Sequence, residues 1–116
     1  MVAFPIPFGC RVSPSNPTAP VPISATWLTG PDRLAITWDQ LLQPGSSDQS
    51  NWIALHGGSA WQGSAPGVIA GSTTTVPMAA VAPVVGENCS YLAMVPDVIG
   101  LAGGLPAASF VGLPIT

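Results

Sequence analysis

His56 is the only histidine in the 116-residue chain, so acid–base chemistry near neutral pH has one natural carrier. A Ser-His-Asp arrangement would join it to one of the many serines and to Asp39 or Asp48. No nucleophile elbow or comparable local context surrounds those serines. His56 instead precedes Gly57-Gly58 and reads as a strand-end or loop residue. Paired carboxylates for glycoside hydrolysis would have to come from five acids scattered over turn-like segments. Asp32 beside Arg33, and Asp39 after Trp38, read as turn formers or a local ion pair. No histidine stands near Cys10 or Cys89 in sequence to activate a thiol, and the one cation beside either is Arg11, next to Cys10. Two cysteines and one histidine, without metal-ligand spacing, build no structural zinc site. Gly57-Gly58 and Gly103-Gly104 read as turns, because no helix follows to hold a phosphate with its dipole. The expectation is a non-enzyme without cofactor or metal.

Binding chemistry has more to draw on. Trp38 and Trp52 sit in strand-like runs and are expected in the core. Trp61 lies between Ala60 and Gln62 in a Gly- and Ser-rich stretch and is the candidate for an exposed anchor on a partner. The other candidate contacts are Phe4, Ile6, Phe8 and Val12 in the Pro-rich segment 1–22. Pro5, Pro7, Pro14, Pro17, Pro20 and Pro22 are spaced too closely for strand or helix interiors, so that segment is expected to be extended. An extended arm buries little by itself and needs its own domain or a neighbour to hold it.

The elements that position these residues must form in an unusual composition. The hydrophobic fraction is 47% but the charged fraction only 6%, where a soluble domain carries roughly 25%. The charged residues are Arg11, Arg33, Asp32, Asp39, Asp48, Glu87 and Asp97, with a net charge of −3. A free domain normally keeps itself dispersed with a charged exterior. A surface this poor in charge is best explained if other protein covers much of it. Two cations are too few for phosphate neutralisation, which argues against nucleic acid, and too few for a polybasic membrane contact. Val98 to Ile115 is weakly polar, but Gly100, Gly103, Gly104, Pro106, Gly112 and Pro114 break any spanning helix. The opening MVAFPIPFGC lacks a basic region and is interrupted by Pro5 and Pro7, so it is not read as a secretion signal. Cys10 and Cys89 could form one bridge from the arm to a late strand; with no such signal, reduced and buried thiols are the expectation.

Gly and Pro together punctuate the chain at short intervals, and no apolar 3.6-residue period survives for a full helix. Strand-like pieces follow one another: Ile23–Leu28, Leu34–Trp38, Trp52–Leu55, a marginal Val68–Ala70, Thr73–Val81, Ser90–Val95 and Ala108–Leu113. Gln43–Asp48 reads as a loop and Trp61–Gly67 as irregular. Pro77 places the Thr73–Val81 strand on an edge or at a bulge. About seven short strands with turns between them predict an all-β sandwich over 23–116, preceded by the arm 1–22.

The run Leu34-Ala35-Ile36-Thr37-Trp38-Asp39, followed by Leu42, Pro44-Gly45 and Asn51-Trp52, resembles the bacterial Ig-like domains of the S-layer type. Tyr91-Leu92-Ala93-Met94-Val95, Gly100-Leu101-Ala102-Gly103 and Phe110 resemble that family's tyrosine-bearing strand, Leu-Ala-Gly turn and final strand. The resemblance covers about residues 23–116 and implies an immunoglobulin-like β-sandwich. Gly100 and Gly104 stand where the family has Asp and Asn, which argues against bound calcium or a polar turn network. Such domains occur in surface layers, secreted repeats and tailed-phage virions. The expected function is structural: a virion component, such as a capsid decoration (cement) protein, packing across other subunits of the major capsid protein, of another virion protein or of its own kind. Its expected location is the virion, assembled in the host cytoplasm. The alternative is a carbohydrate- or surface-binding module on a tail or cell envelope, with Trp61 on a ligand ring.

Overall fold

The computed structural model of the chain describes residues 17–79, 81–84 and 86–116. Nine strands occur among the described residues: β1 Pro22–Leu28, β2 Arg33–Trp38, β3 Gly45–Ser47, β4 Trp52–His56, β5 Ser59–Gln62, β6 Gly67–Ala70, β7 Thr73–Pro77, β8 Asn88–Tyr91 and β9 Phe110–Pro114. They form a five-stranded sheet in the order β1-β2-β7-β6-β3 and a four-stranded sheet in the order β5-β4-β8-β9. Every pairing between strands is antiparallel. A single 3-10 turn at Gln49–Asn51 is the only helical element among the described residues. The all-β expectation is met by two layers packed face to face.

Alternation decides which side of each strand meets the core. On β2, Leu34, Ile36 and Trp38 are buried while Arg33, Ala35 and Thr37 are half-buried. On β7, Thr74 and Val76 point inward between Thr73, Thr75 and Pro77. Trp38 meets the four-stranded sheet edge-on, with ring centroids 6.4 Å from Trp52, 6.3 Å from Tyr91 and 6.1 Å from Phe110. Those edge-to-face contacts suit the aromatic quadrupole. The two core indoles have partners: Trp38 Nε1 donates to Thr74 Oγ1 at 3.0 Å and Trp52 Nε1 to Ser47 Oγ at 2.7 Å, whereas the buried Nε1 of Trp27 has none among the described residues. Trp38 and Trp52 are therefore core, as their strand positions suggest. Two glycines close around Val76. A Cβ on Gly63 would stand 2.8 Å from Val76 Cγ1 and 2.9 Å from the Gln49 carbonyl oxygen, and one on Gly67 2.9 Å from Val76 Cγ2.

The layers are also joined at one side. Ala25 of β1 bridges Ile115 in parallel, Trp27 N–H donates to Thr116 O, and Thr116 N–H donates to Ala25 O. Before β1, the chain continues alongside the end of β2: Val21 N–H donates to Asp39 Oδ1, Asp39 N–H to Val21 O, and Gln40 Nε2 to Thr18 O.

Several local expectations need correction. Gly45–Ser47, read as loop, is β3 and pairs with β6. Part of the stretch read as irregular is β5, which forms a hairpin with β4 through Gly57-Gly58 at φ 60° and 81°. Positive φ at both positions matches the mirror-image turn whose twist suits two-residue hairpins. The strand starting at Thr73 lies between β2 and β6, away from any edge. Pro77 is tolerated because it is the strand's last residue, where its missing N–H costs no interior ladder bond. The Ser90–Val95 alternation ends at Tyr91, and Leu92 N–H turns to Asn51 O. The last strand starts at Phe110, later than expected, and carries a bulge at Val111-Gly112, with Gly112 at φ 79°.

Candidate functional site

The densest polar constellation lies at one end of the sandwich, where the chain after β8 meets the turn before β4. Asp97 sits there half-buried and accepts four hydrogen bonds. Ser47 Oγ (2.8 Å) and Tyr91 OH (3.0 Å) reach Oδ1, and Asp48 N–H (2.7 Å) and Asn51 Nδ2 (3.1 Å) reach Oδ2. The Tyr91 oxygen in turn accepts from the backbone N–H groups of Asp97 (3.1 Å) and Val98 (3.3 Å). Ser47 belongs to the five-stranded sheet and Tyr91 to the four-stranded sheet, so one carboxylate ties both layers to the loop. Asp48 caps the 3-10 turn by accepting from Ser50 N–H and Ser50 Oγ. Those two bonds, hydroxyl first, lower its pKa.

A cavity of about 440 Å³ opens beside this network, lined by Asp48, Ser50, Asn51 and Asp97 and by Leu92, Met94 and Val95. Met94 is 98% exposed and Val95 80%, so its apolar wall stands in solvent. A second cavity of about 470 Å³ lies between Trp27, Thr29, Ala82, Pro83, Val84, Ile115 and Thr116. Neither lining includes Trp61.

The titratable groups are arranged for structure. Burial pushes the Cys89 thiol up to about 12, which keeps it protonated and unreactive. Burial likewise pushes the Tyr91 hydroxyl up to about 12, so it stays a donor to Asp97. His56 ends β4 and its Nδ1 is buried without a hydrogen-bond partner among the described residues. The carboxylate of Asp97 is filled by protein donors and offers little to a substrate. Among the described residues, no group of three His, Cys, Asp or Glu side chains is placed to hold a metal.

The exterior is where the chain differs from an ordinary soluble domain. Across all nine strands, Arg33 is the only Asp, Glu, Lys or Arg. Even Arg33 curls back, donating from Nε to Pro31 O at 3.0 Å. Four of the five acids are occupied with pinning loops. Asp39 accepts from Val21 N–H, Glu87 Oε2 from Gly57 N–H, and Asp48 and Asp97 serve the network above. What remains outward is uncharged, and Val68 (61% exposed), Val111 (76%) and Trp61 (42%) are among it.

Of the contact residues chosen from sequence, Trp61 is on β5, one of the two edge strands of the four-stranded sheet, and is partly exposed. Phe4, Ile6, Phe8 and Val12 lie outside the described residues, as does Cys10. Sequence reasoning passed over Asp97 and the exposed Met94-Val95 pair. Asp97 follows Pro96 in a run that gives no sign of a strand or cap, and its four donors are 6 to 50 residues away. Met94 and Val95 continued an apparent strand alternation that hid their exposure. No family model, curated protein or solved structure matches the chain.

Proposed function

We propose that this chain is a structural module that works by packing against other protein in a large assembly. The observation that carries the proposal is the near-complete absence of charge from nine strands that supply both outer sheet faces. Asp39, Asp48, Glu87 and Asp97 are spent on loop hydrogen bonds, where they fix the fold and add no charge to the sheet faces. Apolar area is worth about 25 cal/mol per Å². A patch of about 500 Å² would thus yield on the order of 12 kcal/mol before association costs, which take a large share. Repetition of one modest contact over many copies suits such a surface. The most concrete form is a virion component, such as a capsid decoration protein of a tailed phage lying across shell subunits.

The strand order supports an immunoglobulin-like reading. The β1-β2-β7-β6 order corresponds to strands A, B, E and D of that plan, and β5-β4-β8-β9 to C′, C, F and G. Trp52 on β4 takes the place of the buried tryptophan of strand C. Two features depart from the antibody pattern: β3 is an addition, and the Tyr91 hydroxyl is bonded downstream, to Asp97 and Val98.

The test is sedimentation of the purified full chain over rising concentration. The expected result is a mass that climbs above the 11.7 kDa of one chain. A chain that stays dispersed and monomeric throughout overturns the proposal. In its decoration form, shells carrying the chain withstand heating that opens shells lacking it.

A further inference from the structure

We infer that β5 is the acceptor edge for the Phe4–Phe8 segment of a second copy, a pairing that rests on the assembly reading above. The free edges of the two sheets are protected to different degrees. β1 is covered where Ala25 O and Trp27 N–H bond to Thr116. β9 is bulged at Val111-Gly112 and carries Pro114, and β3 has only three residues. β5 has no proline, no charge and no bulge, and no strand pairs with its outer side among the described residues. Such an edge is a template for another strand.

The backbone parity of β5 is fixed by its partner. Gly63 N–H donates to Trp52 O, and Trp61 stands opposite Ala54. Ser59 and Trp61 therefore turn their N–H and C=O groups toward β4, while Ala60 and Gln62 turn theirs outward. The segment Phe4-Pro5-Ile6-Pro7-Phe8 has a matching parity in its sequence. In an extended strand, residues 4, 6 and 8 present backbone groups to one side and residues 5 and 7 to the other. Both prolines fall on the same side, so one side keeps every donor and the other can extend no sheet. Pairing that competent side with Ala60 and Gln62 leaves the prolines opposite Ser59 and Trp61. Phe4, Ile6 and Phe8 then lie on the face of Ile53 and Leu55, and the prolines on the face of the partly exposed Trp61 indole. Main-chain bonds supply affinity and the alternate side chains supply register, as in strand addition generally.

The donor is assigned to a second copy because arm and acceptor leave opposite sides of the domain. Residues 18–21 run beside Asp39 and Gln40 as an extension of the β1 edge, which is joined to the tail of β9. β5 lies at the far edge of that second sheet, beyond β8 and β4. A contact between unlike edges is head-to-tail and propagates to a ring or filament.

Two full-length variants separate the parts. Ile6→Pro removes a donor from the arm, and Gln62→Pro removes an outward donor that has no partner among the described residues. Sedimentation of wild type is expected to give a species larger than 11.7 kDa, and each variant alone a single-chain mass. An equimolar mixture of the two is expected to give dimers and nothing larger, since only one arm and one edge remain competent. Circular dichroism of Gln62→Pro checks that its sheet is intact, and if it is not, Ala60→Pro replaces it. Assembly of Ile6→Pro to the wild-type size overturns the pairing while leaving the assembly reading in place. Loss of assembly in both variants with a mixture that stays monomeric assigns the arm to its own chain and overturns the second copy as donor. A wild-type chain that is monomeric at every concentration overturns both readings.

Discussion

The two outer sheet faces are both poor in charge, with Arg33 on the five-stranded sheet the one charged strand residue, yet they are built from different chemistry. On the five-stranded sheet, register places Thr26, Ala35, Thr75, Val68 and Ser46 in one row across all five strands. A second row joins Ser24, Thr37, Thr73 and Ala70. Hydroxyls dominate both rows, and hydroxyls can be hydrated without being ionised. On the four-stranded sheet, Gln62, Ile53 and Ser90 form one row and Ala60 pairs with Leu55 in the next, with Val111 and Pro114 on β9 beyond. That face exposes Val111 to 76% and leaves Ile53 and Leu55 only half-covered. Low charge alone is therefore a blunt indicator; the four-stranded face is the one whose apolar atoms gain from a neighbour.

The largest expected effect comes from unfastening the two sheets from each other. Asp97→Ala leaves Ser47, Asn51, Tyr91 and the Asp48 amide without their acceptor. Loss of several bonds to one carboxylate should cost about 3 kcal/mol, read as a lowered midpoint in urea with an unchanged slope. Retention of wild-type stability would show that the layers hold together by aromatic packing alone.

A smaller effect follows from pH and belongs to the four-stranded sheet, because both groups with raised pKa lie on β8. Unfolded, the Cys89 thiol ionises near 9.0 and the Tyr91 hydroxyl near 10.0, whereas folded each holds its proton to about 12. The folded state binds more protons in that window. Stability is thus complete below the unfolded values and falls as pH climbs toward the folded ones. Denaturant titrations across alkaline pH should show the decline, with a shallower slope for Cys89→Ala. A flat profile through the window would remove burial of β8 as its cause.

The smallest change in stability should accompany the sharpest test of the comparison. Ala35→Lys and Val111→Lys each place one ammonium on an outer face and should alter stability by less than about 0.5 kcal/mol. Only Val111→Lys is expected to reduce association of the full chain in sedimentation. Equal losses from both would make charge poverty as a whole, and not apolar character, the driver.

Much of the fold is legible along the chain because its causes are local. Leu34, Ile36 and Trp38 alternate with smaller residues, so the face they bury follows from strand period alone. The Gly57-Gly58 pair between two short runs carried the hairpin signal for β5, but the Gly- and Ser-rich stretch that follows masked it. β3 had no such signal, since three residues of Gly and Ser become a strand only because β6 lies beside them. Pro77 illustrates the converse: its meaning depends on whether it stands inside a strand or at its end, and the ladder to Arg33 settles that.

Residue types alone determine that this protein has a β-rich core, few ionised groups and, in Phe4–Phe8, two prolines of the same strand parity. Composition and period are properties of neighbours in sequence, so folding is not needed to know them. Only the tertiary structure decides that Asp97 gathers four donors from three segments, that β7 is central, and that β5 is left with outward N–H and C=O groups. Those outcomes depend on contacts between residues far apart in the chain, whose partners are chosen when the two sheets close on Trp38, Trp52 and Tyr91.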